Sequence, residues 1–547
     1  MDADLASIQD ARDALRAAHA AQQQFKDASQ ETVDRIVAAM VEAGAAEAER
    51  LGRMAHEETG FGRPESKTQK NLFATRTLAA RMEGMKTAGV IAKDGPIWTV
   101  ASPMGVVAAL VPSTNPTSTA FYKAILSVKA RCGIVMSPHP RAARCTAEAA
   151  RVVSDAATAA GAPAGLIQCL TRVTLAATDA LMEHELTSVI LATGGGPMVR
   201  AAYSKGKPAY GVGSGNVPAY VDRSANVDKA AADILTGTSF DWGTLCSTER
   251  SVVADAPVRA KLLDALAARG GHVCSADETA KLRAIIKPGG RFNTDIVGQS
   301  PARIAGMAGF RVADDARALI AEVAEVGPDE PLSMETLSPI LSFYAADGWE
   351  AGCARCIEIL EFGGIGHTLA LHATSERVIE QFALRKPSMR IVVNTVAALG
   401  SVGMTTGLFP AMTLGPGTLG GSITSDNVTP MHLVNLKRVA FEVAPLNGAD
   451  GQPLASPSTA RPAPARSAPS ERQGAPTGGG WMDEIEARLL ARAGNRPGAP
   501  DPPAAPPAGR PAASPGARSG RKATSGDAPV LPLPADRIES LIARFRS

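Results

Sequence analysis

From Val106 onward, short β-branched runs alternate with alanine-rich helical stretches, and this alternation limits the fold more than any other feature of the chain. V-V-A-A-L-V (106–111), I-V-M-S (134–137), S-V-I-L (188–191) and A-Y-V-D (219–222) read as strands, with helical stretches such as Thr146 to Ala160 between them. A second alternation follows a cysteine-bearing turn, with strands expected at 251–254, 340–344, 367–372 and 390–395. Strand–helix alternation of this kind argues for mostly parallel sheets with helices on both faces, here two α/β domains. Ligands on such sheets gather outside the carboxyl ends of the strands. Ahead of the first strand, Val33, Ile36, Val37, Met40 and Val41 share one helical face, with Ser29 placed to cap it.

The alternation stops near residue 446. Residues 447–547 turn to Pro, Ala, Ser, Gly and Arg, a composition too poor in apolar surface to order itself, so this tail is expected to be disordered. Two amphipathic segments interrupt it. Residues 481–493 place Met482, Ile485 and Leu489 on one face; residues 536–546 place Ile538, Leu541, Ile542 and Phe545 on another. A short apolar stripe on a Pro-rich tether suits a peptide that docks into a groove; the alternative is that it folds back on its own body. The net charge of +2, from 56 basic and 54 acidic residues, draws the chain to neither nucleic acid nor membrane. The seven cysteines are scattered, and the close pair Cys353 and Cys356 lacks a second pair for a zinc site, so no metal is expected. The acidic N-terminus is unlike a secretory signal, no apolar run approaches a membrane helix, and the expected setting is cytoplasmic.

Several turns carry chemistry. F-D-W-G-T-L-C-S-T-E-R-S-V-V (240–253) sets Cys246 on a turn between a helical pattern (227–235) and a strand pattern. A thiol there is open to attack a substrate, while the alternative is a small buried hydrophobe. A-T-G-G-G-P-M-V (192–199) follows a strand and opens a helix, where backbone N–H groups can meet a phosphate; a tight turn without a ligand is the other reading. G-V-G-S-G-N (211–216) could bring backbone close to a cofactor or to the nucleophile, or be a turn alone. In V-P-S-T-N-P (111–116), Asn115 could aim its amide at a developing oxyanion, or simply form the turn.

Taken in order, V-P-S-T-N-P, A-T-G-G, G-V-G-S-G-N, D-W-G-T-L-C-S, E-T-L-S-P (335–339), G-G-I-G-H-T (363–368) and the late run L-G-P-G-T-L-G-G-S (414–422) resemble the aldehyde dehydrogenase superfamily, and within it the CoA-acylating branch. The resemblance spans roughly residues 5 to 440. It implies an aldehyde dehydrogenase-like fold: a nicotinamide cofactor-binding domain over 1–241 with a bridging hairpin near 88–103, a catalytic domain over 242–421, and a bridging segment over 422–446. It implies that Cys246 is the nucleophile and that Asn115 and the Cys246 N–H form the oxyanion hole. Ser113, Pro138, His139, Thr193, Gly194, Gly195, Gly213, Glu335 and His367 fall on cofactor-binding positions, with Glu335 on the nicotinamide ribose. His367 belongs near the CoA end, or else is a strand-end core histidine.

Two departures matter. Hydrolytic members carry a glutamate 34 positions before the cysteine to activate water; here that position is Val212, which cannot. The acyl-enzyme should then wait for a CoA thiol. Hydrolytic members also carry a lysine where this chain has Ser137, which leaves the choice between NAD and NADP open. The implied reaction oxidises a short-chain aldehyde (acetaldehyde, propionaldehyde or sulfoacetaldehyde) to acyl-CoA. The resemblance also implies a homo-oligomer, and a terminal peptide that recruits the enzyme to bacterial microcompartment shell or core proteins. The tail has no histidine, so an iron-binding alcohol dehydrogenase half is not expected there. A hydrolytic dehydrogenase and an inactive scaffold are the competing readings.

Overall fold

The computed structural model describes residues 3–453. The two amphipathic segments of the tail lie outside the described residues. The strands are β1 (Gly89–Asp94), β2 (Ile97–Pro103), β3 (Val106–Val111), β4 (Gly133–Pro138), β5 (Ile167–Cys169), β6 (Thr187–Thr193), β7 (Ala209–Val212), β8 (Val217–Val221), β9 (Glu249–Asp255), β10 (Gly271–Val273), β11 (Ala318–Glu322), β12 (Ile340–Ala346), β13 (Gly366–His372), β14 (Ser388–Val393) and β15 (Val434–Ala440).

They form three sheets. Five parallel strands run in the order β5-β4-β3-β6-β7, and seven parallel strands in the order β10-β11-β12-β9-β8-β13-β14. Every residue of β3, β4, β9 and β13 is buried, which is why their centres, such as V-V-A-A-L-V in β3, read as apolar runs rather than alternating ones. Helix Pro116–Lys129 is buried along its whole length. The expected N-terminal helix is Gln30–Ala46; Ser29 Oγ accepts from Thr32 N–H at 3.2 Å, and all five marker residues are in the core. β2 pairs antiparallel with β1 on one side and β15 on the other, and Trp98 meets the edge of Phe441 at 5.0 Å.

One boundary moves. The strand expected at 219–222 was assigned to the first domain, yet β8 pairs with β9 and β13 in the seven-stranded sheet. The chain therefore changes sheets across Gly213–Asn216, not at 241/242. The local pattern of β8 is that of any buried strand; its membership is set by long-range pairing such as Ala219 with Ala370, which no short window reveals.

In the five-stranded sheet the order reverses beside β3, so the crevice for a ligand opens between the carboxyl ends of β3 and β6. Those ends lead into Ser113–Asn115 and Gly194–Gly195. The seven-stranded sheet contributes differently. Cys246 precedes β9, Glu335 precedes β12, and His367 opens β13, so these residues come from its amino edge. The carboxyl-end rule thus holds for the first sheet and not for the second.

Candidate active site

Helix Val227–Ser239 runs into a 3-10 turn, Phe240–Gly243, in which Asp241 (φ 49°) and Trp242 (φ 50°) are both left-handed. Such backbone costs on the order of 1–2 kcal/mol per residue and needs support from its surroundings. The turn delivers Cys246 just ahead of β9. Its Sγ lies 3.2 Å from His367 Nε2, and His367 Nδ1 lies 3.0 Å from Thr368 Oγ1. With Nδ1–H donating to that hydroxyl, Nε2 offers its lone pair to the thiol. His367 is 1% exposed at the start of β13, and it touches the sulfur.

Loss of solvent pushes the Cys246 thiol up to about 12; the Glu335 carboxylate adds to this, and Arg390 opposes it. Burial lowers His367 to about 3, and Arg390 lowers it further. At neutral pH the pair is therefore thiol and neutral imidazole. Arg390, on β14, is 3% exposed and donates to the carbonyls of Gly415 at 2.8 Å and Ser425 at 3.1 Å. Its Nε has no hydrogen-bond partner among the described residues. Burial lowers its guanidinium to about 10.

The glycine run 211–216 meets Cys246. A Cβ on Gly215 would sit 1.7 Å from the Cys246 carbonyl oxygen. Gly215 N–H donates to Glu335 Oε1 at 2.8 Å, tying the carboxylate to the same backbone. Burial raises the Glu335 carboxyl, against the N–H groups of Gly215 and Asn216 and the Ser214 hydroxyl. Val212 is 1% exposed and shares its apolar cluster with Leu245, against which Cys246 also packs.

Asn115 stands at the cap of helix Pro116–Lys129 but makes no capping bond. Its Nδ2 donates to Thr244 O at 3.3 Å and Thr114 Oγ1 at 3.0 Å, which brings the amide to the backbone two residues before Cys246. Its Oδ1 accepts from Lys70 Nζ at 2.5 Å. Lys70 also pairs with Asp241, and Lys67 Nζ donates to the same Asp241 oxygen at 3.2 Å. Burial lowers Lys70 to about 8, with Asp241 opposing and Lys67 adding. Burial works to raise the Asp241 carboxyl, but Lys67 and Lys70 outweigh it and hold it below the usual range.

At the crevice between β3 and β6, Ser113 and Thr193 are half-buried at the strand ends, and Thr193 Oγ1 lies 3.1 Å from Thr413 Oγ1. Gly194 N–H donates to Val212 O at 3.3 Å, and Gly195 is the exposed cap of helix Gly196–Tyr203, which has no side-chain cap. Gly213 faces this turn, with the nearest contact to a Cβ there at 3.8 Å from Gly196 Cα. The uncapped N-terminus of helix Gly196–Tyr203, at the switch point, suits a pyrophosphate. Pro138 is buried at the end of β4. His139 beyond it is exposed, and its Nδ1 accepts from Arg141 N–H at 3.1 Å. Ser137 points inward, its Oγ 2.9 Å from Thr178 Oγ1.

Lys67, Lys70, Asp241 and Arg390 were not singled out from the sequence. The one available signal was S-K-T-Q-K-N (66–71), two lysines on one helical face beside Ser66 and Asn71, and that pattern ordinarily marks a solvated surface.

A model of the aldehyde dehydrogenase family matches residues 1–282, more than half the chain. The chain is 41% identical over 401 residues to an aldehyde-alcohol dehydrogenase of Streptococcus pneumoniae, covering 71% of this chain and 45% of that protein. It is 37% identical over 436 residues to an acylating sulfoacetaldehyde dehydrogenase of Cupriavidus necator, covering 78% of this chain and 88% of that one. An acetylating aldehyde dehydrogenase from Geobacillus thermoglucosidasius superposes with a TM-score of 0.80 at 48% identity, covering 82% of this chain and all of that one. The chain spans about half the length of the aldehyde-alcohol dehydrogenases it matches. Family match, sequence likeness and superposed structure agree: the chain belongs to the aldehyde dehydrogenase family.

Proposed function

We propose that the protein is a CoA-acylating aldehyde dehydrogenase, oxidising a short-chain aldehyde with NAD or NADP and passing the acyl group from Cys246 to CoA. The observation that carries this reading is the Cys246–His367 contact at 3.2 Å, in a site where Val212 stands in place of a water-activating carboxylate. The likeness to proteins described as acetylating or acylating supports it.

As the sulfur adds to the aldehyde carbonyl, His367 Nε2 takes its proton. Asn115 Nδ2 and the Cys246 N–H receive the oxyanion. Thr193, Gly194, Gly195 and Gly213 hold the dinucleotide's phosphates, and Ser113, Pro138 and His139 line its adenosine side. Glu335 orients the nicotinamide ribose. The bound nicotinamide supplies the hydride acceptor. The product of oxidation is a thioester on Cys246. His367 then releases the proton taken from Cys246 to solvent. The CoA thiol attacks the thioester as His367 Nε2 takes its proton, and the Cys246 sulfur leaves and receives that proton.

The test is reduction of NAD and NADP with acetaldehyde, propionaldehyde and sulfoacetaldehyde, with and without CoA, followed by product analysis. Acyl-CoA should form, and Cys246→Ala should abolish both oxidation and acyl transfer. Sustained turnover to free acid without CoA would instead mark a hydrolytic enzyme. We also propose recruitment to a microcompartment through residues 536–547, on the sequence pattern alone. Deleting them should end co-sedimentation with shell proteins, and unchanged recruitment would refute it. A homo-oligomer built through the β1–β2–β15 sheet is proposed likewise; sedimentation at monomer mass would refute it.

A further inference from the structure

Lysine is almost never fully buried unless it is paired, yet Lys67 and Lys70 are each 2% exposed and share one carboxylate, Asp241. Two ammonium groups against one carboxylate leave an excess positive charge inside the protein. Thr244 Oγ1 and Arg63 N–H also donate to Asp241, each at 2.6 Å, so the carboxylate is fully engaged. Room for it comes from Gly62, where a Cβ would lie 2.0 Å from Asp241 Oδ1. A buried ionic cluster of this kind is a poor stabiliser compared with apolar residues of the same size. Its geometry points to another use.

The ammonium of Lys70 can only donate, so the Asn115 atom 2.5 Å from it must be the carbonyl oxygen. That settles the orientation of the amide, with Nδ2 turned toward Thr244 and the nucleophile's turn. The bond from Nδ2 to Thr244 O, at 3.3 Å, is long and readily exchanged for a stronger acceptor. Positive charge at Oδ1 polarises the amide and makes Nδ2 a better donor. Helix Pro64–Leu72, which carries Lys70, is registered against the helix that follows Asn115 by Thr117 Oγ1, which donates to Asn71 Oδ1 at 2.8 Å.

We propose that Lys70, anchored by Asp241, is a positioning residue for aldehyde oxidation: it locks the Asn115 amide with Nδ2 toward the nucleophile and polarises it for the oxyanion. This rests on the reading of Asn115 as the oxyanion donor.

The experiment is a double-mutant cycle of Lys70→Met, Asn115→Ala and the pair. The readout is the single-turnover burst of reduced nicotinamide without CoA, across aldehyde concentrations. Asn115→Ala should lose about 10²–10³-fold in burst rate, as the loss of one oxyanion donor does. Lys70→Met should lose about 10- to 100-fold, a part of that effect, with the aldehyde concentration for half-maximal rate nearly unchanged. The double variant should be no slower than Asn115→Ala alone. Lys70→Arg, which keeps the charge, should recover part of the rate. Lys67 still pairs Asp241 in Lys70→Met; should a melting curve show that variant unfolded, Lys70→Gln replaces it in the same cycle. A Lys70 variant as fast as wild type beside an impaired Asn115→Ala overturns the proposal. So does a double variant whose loss is the product of the two single losses. An unimpaired Asn115→Ala overturns the oxyanion reading itself, a separate result.

Discussion

His367→Ala is the most informative single change, because the cost of losing that side chain follows from the site's electrostatics. The thiol titrates near 12, so at pH 7.5 it lies about 4.5 units from ionisation. At 1.36 kcal/mol per unit, forming a free thiolate there costs about 6 kcal/mol. His367 is neutral from pH 5 to 9, and its Nε2, 3.2 Å from the sulfur, is placed to accept the proton as the sulfur attacks, the imidazolium and the developing negative charge stabilising each other. Such a base contributes roughly 10²–10⁴-fold. The acylation burst of the wild-type protein should therefore be nearly flat from pH 5 to about 7.5, below the titration of Lys70 near 8. In His367→Ala the burst should fall by about 10²–10⁴-fold at pH 7.5. It should also rise roughly tenfold per pH unit, since each unit multiplies the thiolate fraction tenfold while the thiol stays mostly protonated. Stopped-flow absorbance of reduced nicotinamide, with aldehyde and no CoA, measures both quantities. A variant that keeps the flat profile, or loses less than about threefold, would refute His367 as the proton acceptor and leave Arg390 to stabilise a preformed thiolate.

Gly215→Ala should fold yet lose at least about 100-fold in acylation, because the new Cβ must displace the Cys246 carbonyl; an unaltered burst would show that the turn yields freely. Val212→Glu should raise the share of free acid among the products and lower the melting temperature, since it places a carboxyl in a cluster that is now apolar; product analysis and a melting curve check the two effects. His372 is 1% exposed, and burial lowers it to about 4, with a buried Nε2 that has no partner among the described residues. Its folded pKa lies below the unfolded value of about 6.5, so it contributes stability that is complete above pH 6.5 and lost as pH falls toward 4, at most about 3 kcal/mol. Denaturant titrations at pH 7 and pH 4.5 should show this loss reduced in His372→Asn; an equal loss in both proteins would count against it.

The two alternations of strand and helix were legible because parallel strands buried on both faces carry their signal in a few consecutive residues. Cys246, Asn115 and the two glycine turns were legible because each sits where an element ends. Contacts between distant segments were not. That Gly215 wedges against Cys246, and that His367 reaches the sulfur across 121 positions of chain, depends on how β8, β9 and β13 pair. The same holds for the sheet change at 213–216, expected later in the chain. Lys67 and Lys70 stayed hidden because their charge suggests water, and only the buried carboxylate of Asp241, more than 170 positions away, reverses that reading.

The stretch Gly213–Asn216 bears on protein engineering. It is both the strap between the sheets and the bed on which the Cys246 backbone rests. Anyone recombining the dinucleotide half of one relative with the acyl-transferring half of another should cut between Val212 and Gly213, so that strap and sulfur share one parent. A splice at 241 would join a Gly215 from one ancestor to a Cys246 from the other, and a fit of ångströms would be left to luck.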